Sequence, residues 1–184
     1  MGKIKKEFFK ESAHLVAPKL LGLKLCSKEC SAIISEVEAY EGKNDSASHA
    51  LTLTPRSKIM YETYAHLYVY FVYGNHYCLN ITCGESEAGA ILIRELIPVS
   101  GIGLMKKRRG VSEEKNLCSG PGKLCQALGI DKSYNGLKLG EKLWIEKAAS
   151  KETKGFQVLS LPRVGITKAM GKKWRFRLVE QKLK

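Results

Sequence analysis

The chain has 184 residues, 44% hydrophobic and 27% charged, a length and composition that suit one globular domain and exclude a mainly disordered chain. No apolar run approaches the roughly 18 residues that a membrane span needs. The net charge is +13, and residues 1–100 balance to zero, so the whole excess lies in 101–184. Such polarity points to a polyanion, nucleic acid before anionic membrane, against the alternative of a lysine-rich solvated face.

The N-terminal stretch is basic and mixed, so no signal peptide is expected and an intracellular site is. The six cysteines, Cys26, Cys30, Cys78, Cys83, Cys118 and Cys125, are then expected to stay reduced. Their spacings match no zinc-ribbon or zinc-finger pattern, so no structural metal is expected; no cofactor is expected either. Cys78 and Cys125 sit in apolar stretches and read as small core residues.

Residues 11–21 carry apolar side chains at loosely helical spacing, and Gly22 is a natural stop. SAIISEVE at 31–38 reads as a strand. Residues 41–58 are polar and hold Gly42, Asn44, Asp45 and Pro55, the pattern of a long loop, and long loops in small domains are often functional. LYVYFVY at 67–73 and HYCLNIT at 76–82 flank Gly74-Asn75 and predict a β-hairpin. GAILIRELI at 89–97 is a third strand. A helix is expected near 100–109 and another from Ser119, as its cap, to Leu128, with Gly129 ending it. Strands follow at 142–147, 157–161 and 174–180. The irregular order of helices and strands favours an α+β fold over a doubly wound sheet.

Seven of eight tyrosines fall between residues 40 and 77. Near a hairpin in a basic protein they suit stacking on nucleobases, although Tyr68 and Tyr77 read better as fillers of half-buried strand positions. Glu36 and Glu38 share a strand face by alternation, and a carboxylate at a strand end beside an aromatic can serve as a general base. Exposed strand glutamates are nonetheless common, and His49, taken alone, reads as a surface histidine. Arg94, within an apolar strand, needs a partner, either a structural carboxylate or a ligand's phosphate. Asn80, also within an apolar strand, is either satisfied locally or aimed at a ligand. The run Lys106-Lys107-Arg108-Arg109 fits phosphate contact and a solvated helix face equally. SGPGKL at 119–124 lacks the spacing of a nucleoside-triphosphate loop, but its glycines at a helix start could hold a backbone phosphate.

Together these strings resemble the alkyladenine (3-methyladenine) DNA glycosylases of the mammalian type. They are SEVEAYEG at 35–42, His49, TPR at 54–56, LYVYFVYG at 67–74, YCLNIT at 77–82, AILIREL-P at 90–98, LCSGPGKLCQALGI at 117–130 and RVGI at 163–166. Their order and spacing fit over about residues 12–179. The resemblance implies one domain, a curved antiparallel sheet flanked by helices with a protruding hairpin. It also implies hydrolytic excision of 3-methyladenine, 7-methylguanine, hypoxanthine or ethenoadenine after extrusion of the nucleotide from double-stranded DNA. By position, Glu38 matches the general base, and Arg94 the arginine that helps hold the water and the flipped nucleotide's backbone. Tyr40 matches one face of the base pocket, and His49 with Tyr70 the other. Asn80 matches the amide that disfavours the 2-amino group of guanine. Val164 and Ile166 lie in the segment matching the far wall, and Tyr73 matches the side chain that fills the space left in the duplex. No lyase step and a monomer are expected.

Three departures stand out: Tyr64-Ala65-His66 where the family commonly has Pro-Gly-Thr, His76 in place of an aromatic, and differences within 41–53. Two rival readings stay in view. A non-enzymatic nucleic-acid-binding module would explain the charge and the aromatic hairpin but leave Glu38, Arg94 and Asn80 without purpose. A cysteine–histidine metal protein would carry stoichiometric zinc.

Overall fold

The computed structural model describes residues 2–72, 74–149 and 155–181. In chain order they form a 3₁₀ turn (Lys6–Phe9), α1 (Ala13–Leu20), β1 (Leu23–Cys26), β2 (Ser31–Glu41), a 3₁₀ turn (His49–Leu51), α2 (Lys58–Glu62), β3 (Leu67–Val72), β4 (His76–Cys83), β5 (Gly89–Ser100) and α3 (Ile102–Arg109). A 3₁₀ turn (Glu114–Asn116), α4 (Pro121–Leu128), another (Lys132–Tyr134), β6 (Trp144–Lys147), β7 (Phe156–Leu161) and β8 (Arg175–Glu180) complete them. The strands join one antiparallel sheet in the order β3-β4-β5-β2-β1-β6, with β8 and then β7 branching from β2. This is the expected α+β arrangement.

β2 organises the sheet. One of its edges pairs with β5 along almost its whole length. The other pairs with β1 at Ser31–Ile33 and with β8 at Glu36–Glu38. The hairpin predicted around Gly74 forms, with β3 and β4 paired from Leu67↔Ile81 to Val72↔His76. Gly74 takes φ +70, a conformation glycine adopts without steric penalty. Tyr73 lies outside the described residues.

Three expectations need correction. β2 runs on to Glu41, because its end is paired with β5 as far as Gly89. The segment read as an unbroken loop over 41–58 holds a 3₁₀ turn at His49–Leu51 and reaches the first residue of α2. Ser119 does not cap α4: Gly120 is the N-cap, Pro121 opens the helix, and the Ser119 hydroxyl accepts from Lys123 Nζ at 3.1 Å. Proline suits that first position because its missing N–H would have no helical partner. β1 was not anticipated; four residues carry too little alternation to register.

The main core covers one face of the sheet. Val16, Ala17 and Leu20 of α1 and Leu124, Cys125 and Leu128 of α4 bury there with Leu67 and Val69 of β3, Leu79 and Ile81 of β4, and Ile91 and Ile93 of β5. A fully buried side chain of this kind contributes about 1.5–3 kcal/mol. The opposite face carries a smaller cluster of Ala50, Met60, Tyr68, Ala88 and Ala90, with Tyr70 against it.

Two bulges set which residues of β2 and β5 reach that second face. Ser35 has no partner between Ile34↔Leu96 and Glu36↔Glu95, and Arg94 has none between Glu36↔Glu95 and Val37↔Ile93. Core-facing positions on β2 therefore change from Ala32 and Ile34 to Val37 and Ala39. An extra residue shifts the alternation and re-aims the side chains beside it. The result puts Glu36, Glu38 and Tyr40 on the face away from the main core.

Candidate active site

A cavity of about 380 Å³ opens on that second face, within the range of roughly 300–1,000 Å³ usual for small-molecule sites. Tyr40 at the end of β2, Tyr68 and Tyr70 of β3 and Asn80 of β4 line it from the sheet. His49 and Arg56 close it from the 41–58 segment, and Gly165 and Ile166 from the stretch before β8.

The aromatic wall is internally braced. His49 Nδ1 and the Tyr68 hydroxyl hydrogen-bond at 2.9 Å, and the His49 ring meets Tyr70 edge-on with centroids 4.8 Å apart. Tyr68 and Tyr70 are two residues apart on one strand, so they point the same way, with centroids at 5.0 Å. Burial pushes the Tyr68 phenol up to about 12, against the lowering effect of Arg56. It also raises those of Tyr40 and Tyr70. Burial lowers the proton affinity of His49, and the Arg56 charge lowers it further, so the imidazole is neutral at pH 7. Asn80 is buried and donates from Nδ2 to the Tyr68 carbonyl at 3.0 Å.

Glu38 lies immediately behind this wall and is fully buried. Its Oε2 accepts from the Tyr40 hydroxyl at 2.8 Å and from Arg94 Nη1 at 3.3 Å, and its Oε1 from the Val164 amide at 2.7 Å. A carboxylate has about four acceptor positions, so three are used and one is left. Arg94, the bulge residue of β5, also donates from Nε to Glu36 Oε1 at 2.9 Å. Glu36 in turn meets Arg175 at 3.4 Å and Arg177 at 3.3 Å through Oε2. Burial opposes the charge on Arg94, but Glu38 and Glu36 outweigh it and raise its proton affinity.

The residues singled out in the sequence thus fall into two groups. Tyr40, His49, Tyr70, Asn80 and Ile166 line the cavity; Glu38, Arg94 and Val164 do not. Val164 offers its backbone N–H to Glu38 while its side chain stays exposed. Tyr68, read as a strand filler, is part of the wall, a fact that its period-two relation to Tyr70 already contained. Arg94 pairs with two carboxylates, through Nε to Glu36 and through Nη1 to Glu38. Asp45 and Arg163, which the sequence reading missed, form a buried pair beside the site with N–O distances of 2.6 and 2.7 Å. They are 118 residues apart, and no local pattern links them.

In the basic run, Arg108 pairs with Glu29 at 2.6 Å and Lys106 with Glu114 at 3.1 Å, and Arg109 donates to Gln126, so three of its four side chains bond within the protein. All six cysteines are buried and none is in a disulfide, and among the described residues no group of three or more His, Cys, Asp or Glu is placed to hold a metal ion. No helix among them is long and apolar enough to cross a membrane.

The sequence model of the family described as "Methylpurine-DNA glycosylase (MPG)" matches residues 7–182. The chain belongs to the methylpurine-DNA glycosylase family. Curated relatives agree. One from Rhodopseudomonas palustris strain BisB18, named "Putative 3-methyladenine DNA glycosylase", is 44% identical over 178 residues, 96% of this chain and 87% of the relative. Relatives with the same name from Nitrobacter winogradskyi and Chlorobaculum parvum are 43% and 39% identical, spanning 93% and 95% of this chain and 81% and 87% of theirs. This member of the methylpurine-DNA glycosylase family therefore combines a DNA glycosylase's sequence with an aromatic cavity backed by a buried carboxylate.

Proposed function

We propose that the protein is a monofunctional glycosylase that hydrolyses the N-glycosidic bond of alkylated or deaminated purines in double-stranded DNA, opening base excision repair without a lyase step. The observation that carries the reading is the position of Glu38, one hydrogen bond behind a pocket walled by Tyr40, His49 and Tyr70. Stacking between those rings suits a flat base turned out of the duplex, and base–aromatic stacking contributes about 1–3 kcal/mol per base.

In this reading Glu38 takes the proton from water attacking C1′ and steadies the positive charge that develops there. Tyr40, Arg94 and the Val164 amide hold the carboxylate in place. The electron pair of the broken bond goes to the base: a cationic N-alkylpurine leaves neutral and the water's proton passes to solvent, whereas a neutral base such as hypoxanthine takes up a proton by way of solvent. The neutral His49 and Tyr70 form the wall facing Tyr40, Asn80 excludes the 2-amino group of normal guanine, and Ile166 packs the far side. Tyr73 fills the gap left in the duplex. The protein acts as a monomer in the cytoplasm, at the nucleoid, since one lesion needs one pocket.

Single-turnover release tests this. The protein is incubated, without added metal, with duplexes bearing one 7-methylguanine, hypoxanthine or ethenoadenine, and abasic sites are then cleaved with alkali. Breaks that appear only after alkali are expected. Breaks without alkali would overturn the monofunctional reading. A folded protein that binds duplex and releases no base would leave the non-enzymatic binding module as the better account.

A further inference from the structure

The cavity carries a cation to which none of the roles above gives a part. Arg56 sits in a turn locked by its neighbour: the Ser57 hydroxyl is bonded to the Thr54 amide at 2.9 Å and donates to the Thr52 carbonyl at 2.8 Å, and the Ser57 amide donates to Thr54 Oγ1 at 3.1 Å. From this fixed backbone the guanidinium lines the cavity, its carbon 5.2 Å from the Tyr70 ring centre. No carboxylate among the described residues pairs with it, whereas Arg94, Arg108, Arg163, Arg175 and Arg177 each have one and Arg109 donates to the Gln126 amide oxygen. Its charge reaches His49, Tyr68 and Tyr70 alike. Tyr40, on the other wall, has the Arg163 guanidinium 4.7 Å from its own ring centre. Aromatic rings already engaged by cations have less attraction left for a cationic guest.

We propose that Arg56 is a specificity-determining residue of the pocket, a fixed cation that disfavours positively charged N-alkylpurines and favours neutral damaged purines with an acceptor on the base edge. The proposal rests on the glycosylase reading and narrows its substrate class. Two electrostatic effects act together. A base such as 7-methylguanine carries a positive charge into the site and is repelled. A neutral base such as hypoxanthine leaves with the electron pair of the C1′–N bond, so negative charge grows on it until it gains a proton, and a guanidinium nearby lowers the energy of that charge.

The test compares Arg56→Gln, Arg56→Lys and Arg56→Glu with the parent protein, measuring, with the protein below saturation so that binding and release both count, the ratio of single-turnover hypoxanthine release to 7-methylguanine release. Arg56 is exposed at the cavity mouth, so all three variants are expected to fold. Loss of a partly screened charge in Arg56→Gln should lower the ratio about tenfold. Arg56→Lys, which keeps the charge, should hold it, and Arg56→Glu should lower it further. An unchanged ratio in Arg56→Gln overturns the proposal. So does equal loss on both lesions with a shallower salt dependence, which would make Arg56 a phosphate contact. If the parent protein releases neither base, the glycosylase reading fails on its own. Equilibrium binding of the same variants to duplexes with ethenoadenine or 2′-fluoro-stabilised 7-methylguanine then decides the Arg56 assignment: a relative gain for the cationic lesion in Arg56→Gln supports it, and no change sinks it.

Discussion

Arg163 donates from both terminal nitrogens to the two carboxylate oxygens of Asp45, at 2.6 and 2.7 Å, with neither side chain exposed. The pair fastens the segment that carries His49 to the segment that carries Val164, Gly165 and Ile166. Arg163 also donates to the Ala39 carbonyl at 2.9 Å and lies between the rings of Tyr40 and Trp174. Asp45 accepts from the Glu41 and Ala47 amides at 3.2 and 3.3 Å. One ion pair therefore sets the distance between two walls of the cavity and the approach of the Val164 amide to Glu38.

Replacing Arg163 with Met should leave Asp45 buried without its partner and destabilise the protein by about 3–5 kcal/mol. Urea unfolding followed by tryptophan fluorescence measures this. A loss below 1 kcal/mol would show that the pair is not needed to hold the loops. Burial opposes ionisation of Asp45, but the bonds from Arg163 and the two amides outweigh it and hold its carboxyl below the usual value. Its contribution to stability is thus complete above the unfolded value near 3.8 and is lost as pH falls through the lower folded one.

Glu38→Gln should slow base release by about 10²–10⁴-fold while damaged-duplex binding persists. The amide sets a donor among the three donors around Glu38, so some stability is lost too, and circular dichroism must accompany the kinetics. Release at the parent rate by a folded variant would remove Glu38 as the base.

His49 gives a pH signature. Burial, then Arg56, holds its proton affinity below the ordinary 6.5, so under acid conditions the unfolded chain binds a proton that the folded one resists. Its contribution is complete above pH 6.5, begins to fall there, and is gone below the folded value. The urea midpoint of the parent should drop more between pH 7 and pH 5 than that of His49→Gln. Equal drops would mean that His49 does not titrate differently on folding.

The turn end of the hairpin rests on α4. A Cβ on Gly122 would come within 2.6–2.9 Å of three His76 atoms, a separation that forces movement. Gly122→Ala should therefore lower the melting temperature in the parent, although alanine favours a helix by roughly 0.5–1 kcal/mol over glycine. In a His76→Gly background, which removes all three of those atoms, the same substitution should raise it. No sign change would mean that the hairpin yields freely at His76.

Much of this protein is legible in its sequence. Periodicity and turn chemistry determine the helices over Ala13–Leu20 and Ile102–Arg109, the Gly74 hairpin and the long β5, because side-chain alternation and positive φ are local properties. The motif strings determine the family, and with it a set of matched residues of which five meet at one cavity. Local pattern does not reach the two bulges at Ser35 and Arg94, which depend on how β2 and β5 register against each other. Only the tertiary structure brings Glu38 against the Val164 amide, 126 residues away, and Arg163 against Asp45. It alone turns Arg56, the last letter of the string TPR, into a charge on the pocket wall with no carboxylate beside it. Such contacts are set by the packing of segments far apart in the chain, and their energy exists only once the sheet has closed the distance between them.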